Sequence, residues 1–314
     1  MARKPVFDRR TLLVGGGLAV TALGTAALTG TASASPDRNR PVRSVAAPTM
    51  YSTADWGARP PSEPVTLLDR KPTYIVVHHT VEPGNTDDFS LDRAFAISRS
   101  IQNYHMDSNG WIDSGQQFTI SRGGYITEGR HRSIEALTGG TQHVLGANVA
   151  DHNSEVIGIE NEGLYMEVDV PQTLWDSLVS LVAYMAAQYD VSPDLIRGHR
   201  DFNSTACPGD VLYARLPELR EEVAARLGVA VKQPAPTPLL RPGDTGENVR
   251  LAQRRLRARG YDVPVDGVFG DATRDAVAAF AADNRMAEPT CKACAQSDER
   301  GFLGVDLWER LAAR

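Results

Sequence analysis

Cysteine is scarce in this 314-residue chain, which carries only Cys207, Cys291 and Cys294. Three cysteines cannot frame a disulfide-stapled miniature fold, so stability must come from packed apolar cores. A basic excess is missing too: 33 Lys and Arg stand against 39 Asp and Glu, for a net charge of -6. That balance gives no bulk attraction to nucleic acid, and no nucleic-acid partner is expected. Glycine and proline, at 27 and 19 residues, are too few and too aperiodic for a collagen-like or wholly disordered chain. Apolar residues reach 42%, enough for more than one folded unit at this length.

The one long apolar run, residues 12–27, follows Arg3, Lys4, Arg9 and Arg10 and is broken by Gly15, Gly16 and Gly17. Ala32-Ser33-Ala34 then offers a small-residue cleavage site. This is the layout of a removable export signal, so no stable membrane span is expected in the mature protein. The pair Arg9-Arg10 before Thr11-Leu12-Leu13 resembles the twin-arginine type. Residues 1–34 are expected to be that signal and 35–50 a flexible leader, placing the protein outside the cell or on its wall. Losing four basic residues and one acidic residue shifts the charge from -6 to about -9.

A seam divides the rest. Residues 229–240 include Pro234, Pro236 and Pro238 and read as a stiff linker between units at 51–228 and 241–314. In the first unit, Tyr74-Ile75-Val76-Val77 and Val156 to Glu160 read as strands. Residues 118–120 and 125–127 flank Arg122-Gly123-Gly124 as a hairpin, and Leu195-Ile196 reads as a short strand before Gly198. Helical spacing predicts helices over 91–105 and 172–189, and a last one from about 211 to 227. The expected fold is therefore α/β, a mixed central sheet flanked by helices. In the second unit, segments at 246–259, 271–282 and 305–313 predict a small all-α three-helix domain, with Gly260 ending its first helix.

His78 closes a strand, and His199 and Cys207 flank a loop containing Asn203, Ser204 and Thr205. Two imidazoles and a thiolate form a tetrahedral zinc set with one position left open. Residue types alone leave other roles available: ordinary hydrogen-bonded histidines, an inert buried thiol, or a Cys207 nucleophile paired with His199. His79 should face the other way from His78.

Six segments in order, DWGAR at 55–59, IVVHHT at 75–80, WIDSGQQFTI at 111–120, GYITEGR at 124–130, IGIENEG at 157–163 and GHRDFNSTACPGD at 198–210, resemble the zinc amidase family. That family includes N-acetylmuramoyl-L-alanine amidases and peptidoglycan recognition proteins. The resemblance implies Zn2+ on His78, His199 and Cys207, and hydrolysis of the amide joining N-acetylmuramic acid to L-alanine in peptidoglycan. It puts Gln116 where many active members have a catalytic Tyr, and Asn148 where His is usual. Both become candidate substrate contacts, with His152 nearby. A branch lacking the Tyr uses a Glu that falls on Glu160, the expected general base. Glu162 shares its face and reads as a support or surface residue. Thr205 would hydrogen-bond the scissile carbonyl.

The segments at 243–256, 259–280 and 307–314 resemble a three-helix peptidoglycan-binding domain, which implies peptidoglycan and muropeptides as partners. Cys291 and Cys294, in an insert at 286–300, are expected to form a disulfide in an exported protein. The expected function is that of a zinc amidase. The rivals are a recognition protein that grips muropeptide without cutting it, for which Gln116 argues, and a metal-free thiol hydrolase.

Overall fold

The computed structural model describes residues 44–286 and 299–313. The expected export signal, residues 35–43 of the expected leader and the expected Cys291–Cys294 disulfide lie outside these residues. The elements run β1 (Met50–Tyr51), β2 (Leu67–Leu68), β3 (Tyr74–His79), α1 (Leu91–Asp107), β4 (Phe118–Ile120), β5 (Ile126–Glu128), α2 (Ser133–Gly139), β6 (His143–Val144), β7 (Val156–Asn161), α3 (Gln172–Tyr189), β8 (Ile196–Gly198), α4 (Asp210–Ala214), α5 (Leu216–Leu227), α6 (Glu247–Ala258), α7 (Asp271–Asp283) and α8 (Val305–Ala312). Six strands form one mixed sheet in the order β1-β5-β4-β7-β3-β8, and β2 pairs with β6 apart from it. Helices flank the sheet, and a three-helix region follows. This is the α/β architecture that the alternating strand and helix patterns imply.

Strands β3 and β7 are parallel neighbours at the middle of the sheet, and their two faces diverge. Ile75 and Val77 of β3, with Ile157 and Ile159 of β7, join a core built on α3 through Leu174, Leu178, Leu181 and Val182. Val76 turns the other way into a small cluster with Val149 and Val156. The two-residue period then carries His78 and Glu160 to the face opposite α3. Helix α1 begins at Ser90, whose hydroxyl accepts the Arg93 N–H at 3.2 Å.

One expected helix is two. The segment from about 211 to 227 breaks at Arg215, between α4 and α5. Pro217 has no N–H to give the preceding turn, so it opens a new helix there. Arg215 holds the corner by packing its guanidinium 3.6 Å over the Trp175 ring and bonding Glu218.

The C-terminal helices enclose their own core, with Val249 and Leu256 of α6, Val277 and Phe280 of α7, and Leu307 and Leu311 of α8. Helix α6 ends at cap Arg259, and Gly260 follows at φ +90°, the left-handed turn that glycine adopts freely. Among the described residues, no helix is long and apolar enough to cross a membrane.

Candidate metal centre

In-register pairing of β3 with β7 sets His78 directly beside Glu160. Strand β8 pairs with β3 from the other side, and His199 follows its last residue. The His78 and His199 rings lie 4.6 Å apart. The 199–210 loop folds back so that Cys207 Sγ sits 3.7 Å from His78 Nδ1. One ligand atom from each of His78, His199 and Cys207 falls within 4.8 Å of the others, and all three residues are buried. No other such cluster occurs among the described residues. His79 is left out, as its opposite orientation requires; its backbone N–H points to Cys207 Sγ at 3.4 Å.

The electrostatics suit a cation. Burial pushes the His78 pKa well below its usual value, and His199 and His79 nearby reinforce the shift. Burial also takes His199 down to about 4, against a hydrogen bond with Asn203. Both imidazoles are therefore neutral, the form that binds metal. Burial, followed by Glu160, pushes the Cys207 thiol well above its usual range; a coordinated dication reverses that preference. His199 Nδ1 is buried without a hydrogen-bond partner, a costly state that coordination through that nitrogen relieves. The His/His/Cys cluster is thus consistent with a zinc site.

Glu160 is buried, its Oε2 has no partner, and burial alone raises its pKa to about 8. It lines a narrow pocket with His105, Trp111, Gly115, Gln116, Ala147 and Asn148. Gln116 Nε2 donates to Thr119 Oγ1 at 2.9 Å, leaving its buried Oε1 unpartnered. Asn148 Nδ2 donates to the Gly115 carbonyl at 3.1 Å, and its side chain lies close enough to His78 to offset a small part of that residue's lowered pKa. A Cβ on Gly158 would fall 2.3 Å from Asn148 Oδ1, so glycine is what lets Asn148 approach the strand.

His152 does not line this pocket. Its Nδ1 meets Glu155 at 3.0 Å, and its ring packs 5.0 Å from Phe202. Thr205 is buried in the metal loop, where its hydroxyl oxygen accepts the Cys207 N–H at 3.1 Å. Glu162 is no surface residue. It is fully buried past the end of β7, paired with Arg93 at 2.6 Å and accepting the Arg122 N–H at 2.9 Å. The sequence reading missed the far wall of the pocket. His105, from the last turn of α1, stacks 4.6 Å from Trp111 and accepts the Gly115 N–H at 3.0 Å. Burial takes its pKa to about 3. Its place on the buried stripe of α1 was the available signal.

A family model described as N-acetylmuramoyl-L-alanine amidase matches residues 68–210, and one for a peptidoglycan binding domain matches 245–291. The human N-acetylmuramoyl-L-alanine amidase is 33% identical over 173 residues, 53% of this chain and 27% of that protein. The chain likewise spans 27% of the pig amidase. Peptidoglycan-recognition protein SC2 of Drosophila melanogaster is 32% identical over 168 residues, 52% of this chain and 83% of that protein. The structure of wild-type Drosophila PGRP-LB superposes with a TM-score of 0.47 at 28% identity, covering 54% of this chain and 92% of that one.

Proposed function

The chain belongs to the family of N-acetylmuramoyl-L-alanine amidases and peptidoglycan-recognition proteins, and we propose that it is itself a zinc-dependent amidase of bacterial peptidoglycan. The observation that carries this reading is Glu160 in register beside His78, with a buried, unpartnered carboxylate oxygen next to the His78–His199–Cys207 cluster. A ligand set alone serves structure or catalysis; a carboxylate poised beside it is what proton transfer requires.

His78, His199 and Cys207 would hold the zinc ion. Zinc there would supply Lewis-acid polarisation of the scissile carbonyl, acidify water and draw Glu160 towards its carboxylate form. Glu160 takes a proton from the water that attacks the lactyl carbonyl. It delivers that proton to the alanine nitrogen as the C–N bond breaks, leaving a carboxylate on the muramic acid and a free amine on the stem peptide. Gln116 and Asn148, on the same pocket wall, contact the substrate and orient it. His152 stands outside the pocket and would meet only an extended ligand. Thr205, whose hydroxyl oxygen accepts the Cys207 N–H, keeps its hydroxyl hydrogen for the role that the motif implies, a hydrogen bond to the scissile carbonyl.

Residues 51–228 serve as the amidase domain, 229–240 as the linker and 241–314 as the peptidoglycan-binding domain. That domain would raise the local concentration of an insoluble substrate. Residues 1–34 would direct twin-arginine export, and Cys291 would pair with Cys294 in the oxidising environment outside the cell. The second reading, recognition without hydrolysis, rests on Gln116 standing where a catalytic Tyr is common. Mature protein incubated with muropeptides, with zinc and with chelator, separates the two. Release of intact stem peptide with a free L-alanine amine supports the amidase. Binding with no cleavage at any zinc level supports recognition.

A further inference from the structure

The loop that delivers Cys207 is held from both sides. On its own side, Arg200 bonds the Ala206 carbonyl and Asp210, and the Arg200 N–H donates to the Cys207 carbonyl at 3.0 Å. Thr205 takes the Cys207 N–H. The one remaining backbone donor at this point, the Ala206 N–H, goes to Glu299 Oε1 at 2.8 Å. Glu299 lies 93 positions away in sequence and belongs to the C-terminal region. It is buried, and its second oxygen, Oε2, has no hydrogen-bond partner. Around it, Asp306 bonds the Ser204 hydroxyl, the Gly304 N–H donates to Ser204 Oγ at 2.8 Å, and Arg241 pairs with Asp210. A Cβ on Gly304 would come within 2.7 Å of Ser204 Cα, so the two backbones nearly touch.

We propose that Glu299 is a positioning residue of the metal centre, holding the Thr205–Ala206 backbone so that Cys207 Sγ is presented to the ion. The C-terminal region is then part of the metal site as well as a tether to substrate. The inference rests on reading His78, His199 and Cys207 as ligands, and it goes beyond that reading by adding a residue from outside the matched amidase segment. The physical basis is the chain of bonds. Ala206 is buried, so without Glu299 its N–H has no acceptor, and the peptide immediately before the ligand can turn away. Groups that orient a ligand typically set metal affinity by roughly ten- to a hundred-fold.

The test uses the full mature chain and reads metal binding directly, by chelator competition for zinc and by the cobalt–thiolate absorption of the Co2+-loaded protein. Glu299→Ala should weaken zinc binding roughly ten-fold or more and alter the cobalt band. Glu299→Asp keeps the charge and the fold but is one methylene short of Ala206, and should behave similarly. Glu299→Gln retains an acceptor and should recover most of the affinity. Asp306→Asn, which alters only the neighbouring Ser204 anchor, should change affinity much less. Wild-type affinity and spectrum in both Glu299→Ala and Glu299→Asp would overturn the proposal, as would an equal loss in Asp306→Asn. A wild-type chain that binds no zinc overturns the ligand reading and this inference together. Tight zinc binding without amide hydrolysis overturns the amidase reading alone.

Discussion

Replacing Glu160 by Gln should make the metal-free protein more stable at alkaline pH while removing its activity. The buried carboxyl group has its pKa raised from 4.5 to about 8 by desolvation. At 1.36 kcal/mol per pKa unit this corresponds to roughly 5 kcal/mol. Between these two values the folded state holds a proton that the unfolded state has released, so stability falls as pH rises. The full penalty is present above about 8. Gln at this position is neutral at every pH and nearly the same shape. Denaturant unfolding of chelator-treated wild type and Glu160→Gln should therefore agree closely near pH 4. Near pH 8.5 they should diverge by up to ~5 kcal/mol in favour of the variant. Hydrolysis of muropeptide by the zinc-loaded variant should drop by about 10²- to 10⁴-fold, the range for a lost general base. A stability difference that does not change with pH would refute the account of a desolvated, unpartnered carboxylate. Full activity in the variant would remove Glu160 from the chemistry.

Chelation should abolish hydrolysis and added zinc restore it, while Cys207→Ser and His199→Ala should fail to retain stoichiometric zinc; activity that survives chelation and is lost on thiol alkylation would point to a thiol hydrolase. His131 carries a pKa raised by its hydrogen bond to Asp113. Its contribution to stability is present below the ordinary histidine value of 6.5 and is lost as pH rises through the raised one. His131→Ala should therefore destabilise the protein in acid melts and have little effect in alkaline ones. Leu178 is fully buried in the α3 core, and Leu178→Ala should cost about 2–5 kcal/mol by equilibrium unfolding.

Much of the fold was legible because its longest elements carry strong local periodicity. Helix α3 runs from Gln172 to Tyr189, the span its apolar spacing predicts. Strands β3 and β7 are short β-branched runs in the interior of the sheet, as their composition implies. The break at Arg215 was not legible as apolar spacing, which continues smoothly through it; the local chemical signal for it is Pro217. In the site, adjacent motif residues were easy to see, whereas His105 looked like any histidine on a helix. Only packing put it against Trp111 and the Glu160 pocket. At Glu162 only the surface alternative fails. Strand alternation suggested a support or surface group, but the strand ends at Asn161 and the chain turns its carboxylate inward to Arg93.

By itself, the sequence determined which side chains share a face, where the long helix α3 runs, and which residue types can bind zinc, because these depend on neighbours a few positions away. Tertiary structure decided which strands pair and in what register, and so put Glu160 beside His78. It also decided that Glu299, remote in sequence, accepts the hydrogen bond of the residue next to Cys207. These are contacts between distant segments, selected by the burial of whole faces and by the need to satisfy each buried N–H, and no local pattern encodes them.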